Sequence, residues 1–411
     1  MQKFGGSSVA NADKMKNVAN RVIKCRQNGN AVVVIVSAMG DTTDELIHLA
    51  RQITERPSQR EMDRLLSTGE QVSIAILTMA IQASGVDAVS LTGSQVGIIT
   101  EGMHTKAKIA RVNTDRILKE LGDNRIVVIA GFQGIDANGD VTTLGRGGSD
   151  TTAVAIAAAL HADICEIYTD VEGVYSADPR IVPDARKLAT ISYDEMLELA
   201  NLGAGVLHAR SVECAKLHEV ALCVRSSFVE NDGTVVKETC AMEKKILVRG
   251  VARDSNVAKV AILNVPDIPG VAYRLIKDLA DKSIAIDMII QSINNESHND
   301  ILFTVCQDDL PITLEVLQQT AQEIKADRIV YDDKVAKVSI VGAGISSNPM
   351  IAAKMFESLA EEQINIQAIS TSEIKISCLI NEKDAVRAVR AIHAGFALSA
   401  DEGDAIEFED I

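Results

Sequence analysis

The C-terminal part of this 411-residue chain contains the same pattern twice. Val257-Ala258-Lys259-Val260 returns as Val335-Ala336-Lys337-Val338. Leu279-Ala280 and Ile284-Ala285-Ile286-Asp287 return as Leu359-Ala360 and Ile364-Asn365-Ile366-Gln367. Such self-similarity means two copies of one supersecondary unit stacked on each other. Each copy reads strand, turn with Pro, amphipathic helix, strand, then strand, helix and strand. That order predicts a β-α-β-β-α-β module with one sheet and its helices on one face. Two such modules expose sheet edges and interhelical clefts, where modules pair and small ligands bind. The second copy also holds Val341-Gly342-Ala343-Gly344, the start of a dinucleotide fingerprint. Its third glycine is missing and the first copy has Val265-Pro266-Asp267 there, so NAD binding is rejected.

Residues 1 to about 230 follow a different rule, with short β-branched runs alternating with helical stretches. Ala31–Val36, Asp87–Leu91, Arg125–Ala130 and Ile164–Tyr168 are the expected strands. None alternates polar with apolar, as expected of parallel strands covered on both faces. In such sheets ligands gather at the loops after the strand carboxyl ends.

The first of these loops is Lys3-Phe4-Gly5-Gly6-Ser7-Ser8, followed by the helical spacing of Met15, Val18, Ala19, Val22 and Ile23. Adjacent glycines let backbone N–H groups approach an anion, and Lys3 adds a mobile charge beside them. A tight strand–helix connection would look the same, and no P-loop Gly-Lys-Ser/Thr closes it. Ser37-Ala38-Met39-Gly40-Asp41-Thr42-Thr43 fits a small polar ligand or a helix cap. Gly69, in Ser67-Thr68-Gly69-Glu70, costs a helix roughly 1 kcal/mol relative to Ala, which calls for a reason. Glu70 among apolar neighbours either holds an ammonium group or is solvated.

The densest chemical stretch is Thr142-Thr143-Leu144-Gly145-Arg146-Gly147-Gly148-Ser149-Asp150, ahead of a small-residue helix expected over Ala153–Leu160. Arg grips a carboxylate with two parallel hydrogen bonds, and a purely structural glycine loop needs no Arg, Ser and Asp together. Thr169-Asp170 through Tyr175 and Arg180 offers acid, aromatic and base suited to a nucleotide's base and ribose.

Acidic residues outnumber basic ones 57 to 41, for a net charge of -16. That argues against nucleic acid and anionic membrane as partners. No apolar run approaches the roughly 20 residues of a membrane span. Seven scattered cysteines without a Cys-x-x-Cys pair read as reduced thiols of a cytoplasmic protein, and the histidines form no metal cluster.

Taken in order, Lys3–Ser8, Ser67–Glu70, Thr143–Asp150, Tyr168–Asp170 and Tyr175–Arg180 resemble the aspartate kinase family. The tandem repeat, with Ser370–Ser377, resembles that family's pair of ACT regulatory domains. The resemblance covers essentially the whole chain. It implies an α/β amino-acid-kinase fold, a three-layer αβα sandwich with a mostly parallel sheet, over residues 1–245. Tandem ferredoxin-like ACT modules at 255–330 and 335–411 would follow, with strand exchange between them left open.

The activity implied is phosphorylation of the L-aspartate side chain by ATP with Mg²⁺, giving 4-phospho-L-aspartate for lysine, threonine and methionine biosynthesis. By the family's pattern Lys3, Arg146 and Asp150 are catalytic, and Thr43, Glu70, Arg146 and Ser149 hold aspartate. Lys3, Phe4, Gly5, Gly6, Ser7, Thr169, Asp170, Tyr175 and Arg180 hold ATP; no protein ligand of Mg²⁺ is assigned. Lysine or threonine, or both, would act at Asp267, Ala285, Ile286, Asp287 and Gln291, and at Ser346, Asn365 and Ile366. Self-association through the ACT modules, as a dimer or an α2β2-type tetramer, is also implied. The chain departs from the family at Gly205, where a basic residue near the nucleotide is usual, and its first strand is expected to be short. Two alternatives stand beside this reading: a kinase of another amino acid, and a catalytically weak amino-acid sensor.

Overall fold

A computed structural model describes residues 1–203, 205–238, 248–295, 297–345 and 348–399. They form two compact units. The first holds Met1–Val174, Lys187–Asn201 and 205–238; the second holds Tyr175–Arg186, 202–203 and 248–399.

The first unit begins β1 (Gln2–Phe4), α1 (Ala12–Gln27), β2 (Val33–Val36), α2 (Thr42–Ile53), α3 (Gln59–Ala83) and β3 (Ala88–Leu91). It continues α4 (Gly93–Val96), β4 (Ile98–Glu101), β5 (Lys108–Val112), α5 (Asp115–Gly122), β6 (Ile126–Ala130), β7 (Gln133–Ile135) and β8 (Val141–Thr143). It closes with α6 (Gly148–Leu160), β9 (Cys165–Thr169), β10 (Thr190–Ile191), α7 (Tyr193–Asn201), α8 (Ala209–Leu217), β11 (Leu222–Ser226) and β12 (Thr234–Val236).

Its main sheet runs β10-β12-β11-β9-β1-β2-β6-β3. Among the described strands of this sheet, only the β11–β12 pairing is antiparallel. Every residue of β2 and β6 is buried, which is why both are unbroken Val, Ile and Ala runs. One face packs Val18, Val22, Leu77 and Ile81 of α1 and α3 against Val34, Val36 and Val128. On α6, Ala153, Val154, Ile156 and Ala157 are buried. β1 is three residues long and lies between β2 and β9, parallel to both. The strand order therefore reverses at β1, and such a reversal opens a crevice at the strand carboxyl ends. A second sheet, β5-β4-β7-β8, delivers the chain from β8 into the Gly145–Gly147 loop.

The second unit runs β13 (Gly250–Pro266), α9 (Val271–Ala280), β14 (Ile286–Asn295), β15 (His298–Cys306), α10 (Leu310–Glu323) and β16 (Arg328–Val341). α11 (Pro349–Glu361), β17 (Ala368–Thr371), β18 (Lys375–Asn381) and α12 (Ala385–Gly395) complete it. The repeat folds as one six-stranded antiparallel sheet, β14-β15-β13-β16-β18-β17. Val257 of one copy sits opposite Val335 of the other. The first half of β13, Gly250–Asp254, pairs with the second half of β16, so β13 serves both copies. Equivalent lysines cross the repeat: Lys259 donates to Gln367, and Lys337 to Asp287.

Tyr175–Arg186 joins this unit although it directly follows the Thr169–Val174 stretch. Ala177, Ile181 and Val182 share a core with Met355 of α11 and Val389 and Ile392 of α12. Ser176 and His393, both buried, hydrogen-bond at 2.9 Å, and Arg390 donates to the Ile181 carbonyl at 2.9 Å.

Candidate functional site

Backbone hydrogen bonds at the reversal point draw three strand ends together. Gly5 N–H donates to the Tyr168 carbonyl, Ser37 N–H to the Phe4 carbonyl and Gly40 N–H to the Gly6 carbonyl, all at 3.1–3.2 Å. Between these loops and the Gly145–Asp150 stretch lies a cavity of about 290 Å³. Lys3, Gly5, Gly6, Thr43, Glu70, Arg146, Ser149 and Asp150 line it, as do Ser37, Ala38, Gly40 and Phe132. The side chains assigned to catalysis and to the acceptor by resemblance thus all face one space, together with the glycines of the first loop.

Lys3 leaves β1 with its ammonium 2.6 Å from a carboxylate oxygen of Asp150, the two side chains only 11 % and 13 % exposed. Asp150 does not belong to a loop. α6 starts at Gly148, earlier than the expected Ala153, because Gly147 takes a left-handed N-cap conformation at φ +72°. Ser149 and Asp150 therefore sit in the first helical turn, whose free N–H groups and dipole attract an anion. A Cβ on Gly147 would also meet the His208 ring at 2.2 Å, so no other residue fits this turn. Arg146 is exposed in the same loop and, among the described residues, makes no ion pair.

Glu70 lies on α3 and is 2 % exposed. One carboxylate oxygen accepts the Ala38 N–H at 3.1 Å, and the other is buried with no partner among the described residues. Burial pushes its carboxyl up to about 7, only partly offset by the Ala38 bond. A buried carboxylate with a free lobe beside a cavity is a site for a cation. Thr43 stands in the first turn of α2, so this residue both starts a helix and lines the cavity.

Gly69 has its reason here. A Cβ at that position would lie 2.8 Å from the Cβ of Ala38, so glycine lets α3 press against the loop after β2. Gly69→Ala gains about 1 kcal/mol of helix propensity, yet it is expected to lower the melting temperature by driving α3 away from that loop. A melting temperature above the parent's would refute this account.

The remaining expected residues fall elsewhere. Phe4 is wholly buried and stacked on Tyr168 with ring centroids 4.6 Å apart, while Ser7 is exposed and its carbonyl accepts the Lys14 ammonium. Thr169 ends β9 and its hydroxyl donates to Asp170, the next residue, at 3.0 Å. Tyr175 and Arg180 belong to the second unit, where Arg180 grips Asp178 and holds that carboxyl below its usual range. Gly205 is exposed at φ +65°. Among the described residues no three His, Cys, Asp or Glu side chains cluster as a metal site, and no helix is long and apolar enough to cross a membrane.

In the second unit, Asp267 and Gln291 line a cavity of about 450 Å³ with Pro269, Gly270, Val271 and Asn299. α9 begins at its edge with Gly270 as N-cap and no side-chain cap, leaving helix N–H groups for an anion. Ala285 and Asn365 are exposed, and Ile286 and Ile366 pack on the cores of the two copies. Asp287 pairs with Lys337. Ser346 lies outside the described residues.

Residues 2–226 match the Amino acid kinase family and residues 338–396 match the ACT domain. The aspartokinase of Bacillus sp. (strain MGA3) is 51 % identical, covering 100 % of this chain and 99 % of its own. The crystal structure of E. coli aspartokinase III in complex with aspartate and ADP (R-state) is 26 % identical. It covers 96 % of this chain and 99 % of its own, with a TM-score of 0.83. The same enzyme in complex with lysine and aspartate (T-state) gives a TM-score of 0.73 at 26 % identity, over 96 % and 98 % of the two chains.

Proposed function

This chain belongs to the amino acid kinase family as an aspartokinase, and from that premise we propose that it moves the γ-phosphoryl group of ATP to the side-chain carboxylate of L-aspartate. The product is 4-phospho-L-aspartate, which would feed lysine, threonine and methionine biosynthesis in the cytoplasm. The observation that carries this reading is one cavity lined by Arg146, Glu70, the Lys3–Asp150 pair and the first turn of α6.

Each part has a chemical task. The free lobe of Glu70 takes the α-ammonium, and the Arg146 guanidinium takes the α-carboxylate. Thr43 and Ser149 offer hydroxyls to the same molecule. The side-chain carboxylate has an unperturbed pKa of about 3.9, so it is already ionised and needs no general base. One of its oxygens bonds to the γ-phosphorus as the bond to the β,γ-bridging oxygen breaks, and ADP leaves with that electron pair. Such a transfer is driven by positioning and by neutralising charge on the transferred group. Lys3, the Gly6 N–H and the α6 terminus do this, with Asp150 orienting Lys3.

Thr169 and Asp170 are assigned to the nucleotide. Mg²⁺, which would screen the polyphosphate charge, fits a site with only Glu70 and Asp150 as acids if phosphate oxygens and water supply most of its shell. Hydroxylamine trapping of the acyl phosphate tests the whole reading. Trapped product is expected with aspartate and not with glutamate or N-acetylglutamate; no product from aspartate would refute it.

The domain reading we propose is a kinase domain over 1–245 and ACT modules at 255–330 and 335–411, which also mediate self-association. Lysine or threonine acts as inhibitor at the cavity lined by Asp267 and Gln291, its carboxylate at the start of α9. Gln291→Ala is expected to raise the inhibitor concentration for half-inhibition about tenfold, a usual yield for one polar contact, at unchanged maximal rate. Superimposable inhibition curves would remove Gln291 from the site.

A further inference from the structure

Asp63 is the most deeply buried acid near the cavity, at 0 % exposure, and it is absent from the cavity lining. It lies seven residues before Glu70 on α3, two turns along the same face and about 10 Å away. Its carboxylate is fully engaged. It accepts the Thr105 N–H at 3.0 Å, the Thr143 hydroxyl, and His104 Nδ1–H at 2.7 Å. Thr105 takes an uncommon left-handed backbone, φ +66°, and its carbonyl packs on Gly145, 2.9 Å from where a Cβ would be. Thr143 is the last residue of β8, where the chain enters the loop that carries Arg146. Between Asp63 and Glu70, the Ser67 carbonyl accepts Gln133 Nε2 at 2.9 Å, tying the same helix face to β7. On the other side Arg210 donates to the Leu144 carbonyl at 2.6 Å and the Ala107 carbonyl at 3.1 Å.

We infer that Asp63 is a positioning residue for substrate recognition: through Thr143 and Thr105 it fixes the root of the Arg146 loop to the helix that carries Glu70. One rigid helix then sets the distance between the group reading the α-carboxylate and the group reading the α-ammonium. A buried carboxylate with three donors holds that spacing more stiffly than apolar packing, because each donor left without it would be a buried unsatisfied group. This inference rests on the proposed roles of Glu70 and Arg146.

The test uses two competitive inhibitors, each lacking one arm of aspartate. Succinate keeps both carboxylates and lacks the ammonium; 3-aminopropanoate keeps the ammonium and lacks the α-carboxylate. Asp63→Asn, and the milder Thr143→Val, are expected to weaken aspartate and succinate about 10- to 100-fold, the usual effect of a misplacement near 1 Å. 3-Aminopropanoate and the KM for ATP should stay within about twofold. Thr143→Val removes one hydroxyl from a residue of the same shape and keeps the test valid if Asp63→Asn does not fold. Equal loss for both inhibitors would mean that Asp63 only supports the fold, and no loss for either would overturn its role outright. If the parent chain yields no hydroxylamine-trapped product from aspartate, the functional reading fails first, which separates the two results.

Discussion

Lys3→Ala is expected to lower kcat by about a hundred- to a thousandfold, the usual cost of removing one preorganised group that meets developing charge. KM for aspartate should change little, because the groups assigned to the amino acid, Glu70 and Arg146, are untouched. The ammonium is 2.6 Å from Asp150 and both side chains are nearly buried. Removing it also leaves the Asp150 charge without its cation in a poorly hydrated place. A fall in stability therefore accompanies the loss of turnover. Lys3→Arg keeps charge but swaps a compact ammonium for a wide fork, and should recover stability before it recovers rate. Steady-state kinetics beside thermal melts separate the two effects. Turnover of Lys3→Ala within tenfold of the parent would remove Lys3 from the reaction.

Glu70→Gln should lose function and gain stability. Burial holds the Glu70 carboxyl at about 7 in the folded chain, against an ordinary 4.5. Between those values the folded chain keeps a proton that the unfolded chain has released. The contribution of Glu70 to stability is therefore fully present below about pH 4.5 and is lost as the pH rises to about 7. Gln has no such slope and keeps the oxygen that accepts the Ala38 N–H. The variant should match the parent below pH 4.5 and exceed it by about 3 kcal/mol above pH 7, because each pH step between the two values is worth about 1.4 kcal/mol. Aspartate binding should move the other way. An amide cannot neutralise an ammonium, so KM rises about a hundredfold, within the usual range for losing one partner of a desolvated pair. In the parent, KM should rise as the pH drops below about 7 and Glu70 takes up its proton, whereas the variant should show a flat profile. Denaturant titrations across pH and KM profiles read both halves. A parent KM constant from pH 6 to 8 would exclude Glu70 as the ammonium site.

Much of this was legible in the residues. Unalternating Val and Ile runs announced a doubly covered parallel sheet, and Cys165–Thr169 falls within a residue of the expected strand. Val-Ala-Lys-Val written twice announced paired modules, and Val257 does face Val335. The stretches at β1, after β2 and around Arg146 held most of the cavity residues, because chemistry in such sheets collects at strand carboxyl ends, and Glu70 joined them from the middle of α3. Asp63 was missed, although a signal existed. Asp63, Ser67 and Glu70 recur at i, i+4 and i+7, a polar stripe on one helix face, and all three are buried. Helical periodicity reports which residues share a face; it does not report which face the protein covers.

Residue types and their spacing determined the fold class, the repeat and the chemical inventory, since these depend on backbone propensity and apolar patterning within one segment. Tertiary structure alone decided which members of that inventory meet. It set Lys3 against Asp150 across the chain, gave Gly69 its purpose through contact with Ala38, and made Gly147, packed on His208, the N-cap of α6. It also assigned Tyr175–Arg186, which follows the strand-end loop in sequence, to the core of the second unit. Those outcomes rest on close approach between segments far apart in the chain, and distance in space is the one quantity that a local pattern does not encode.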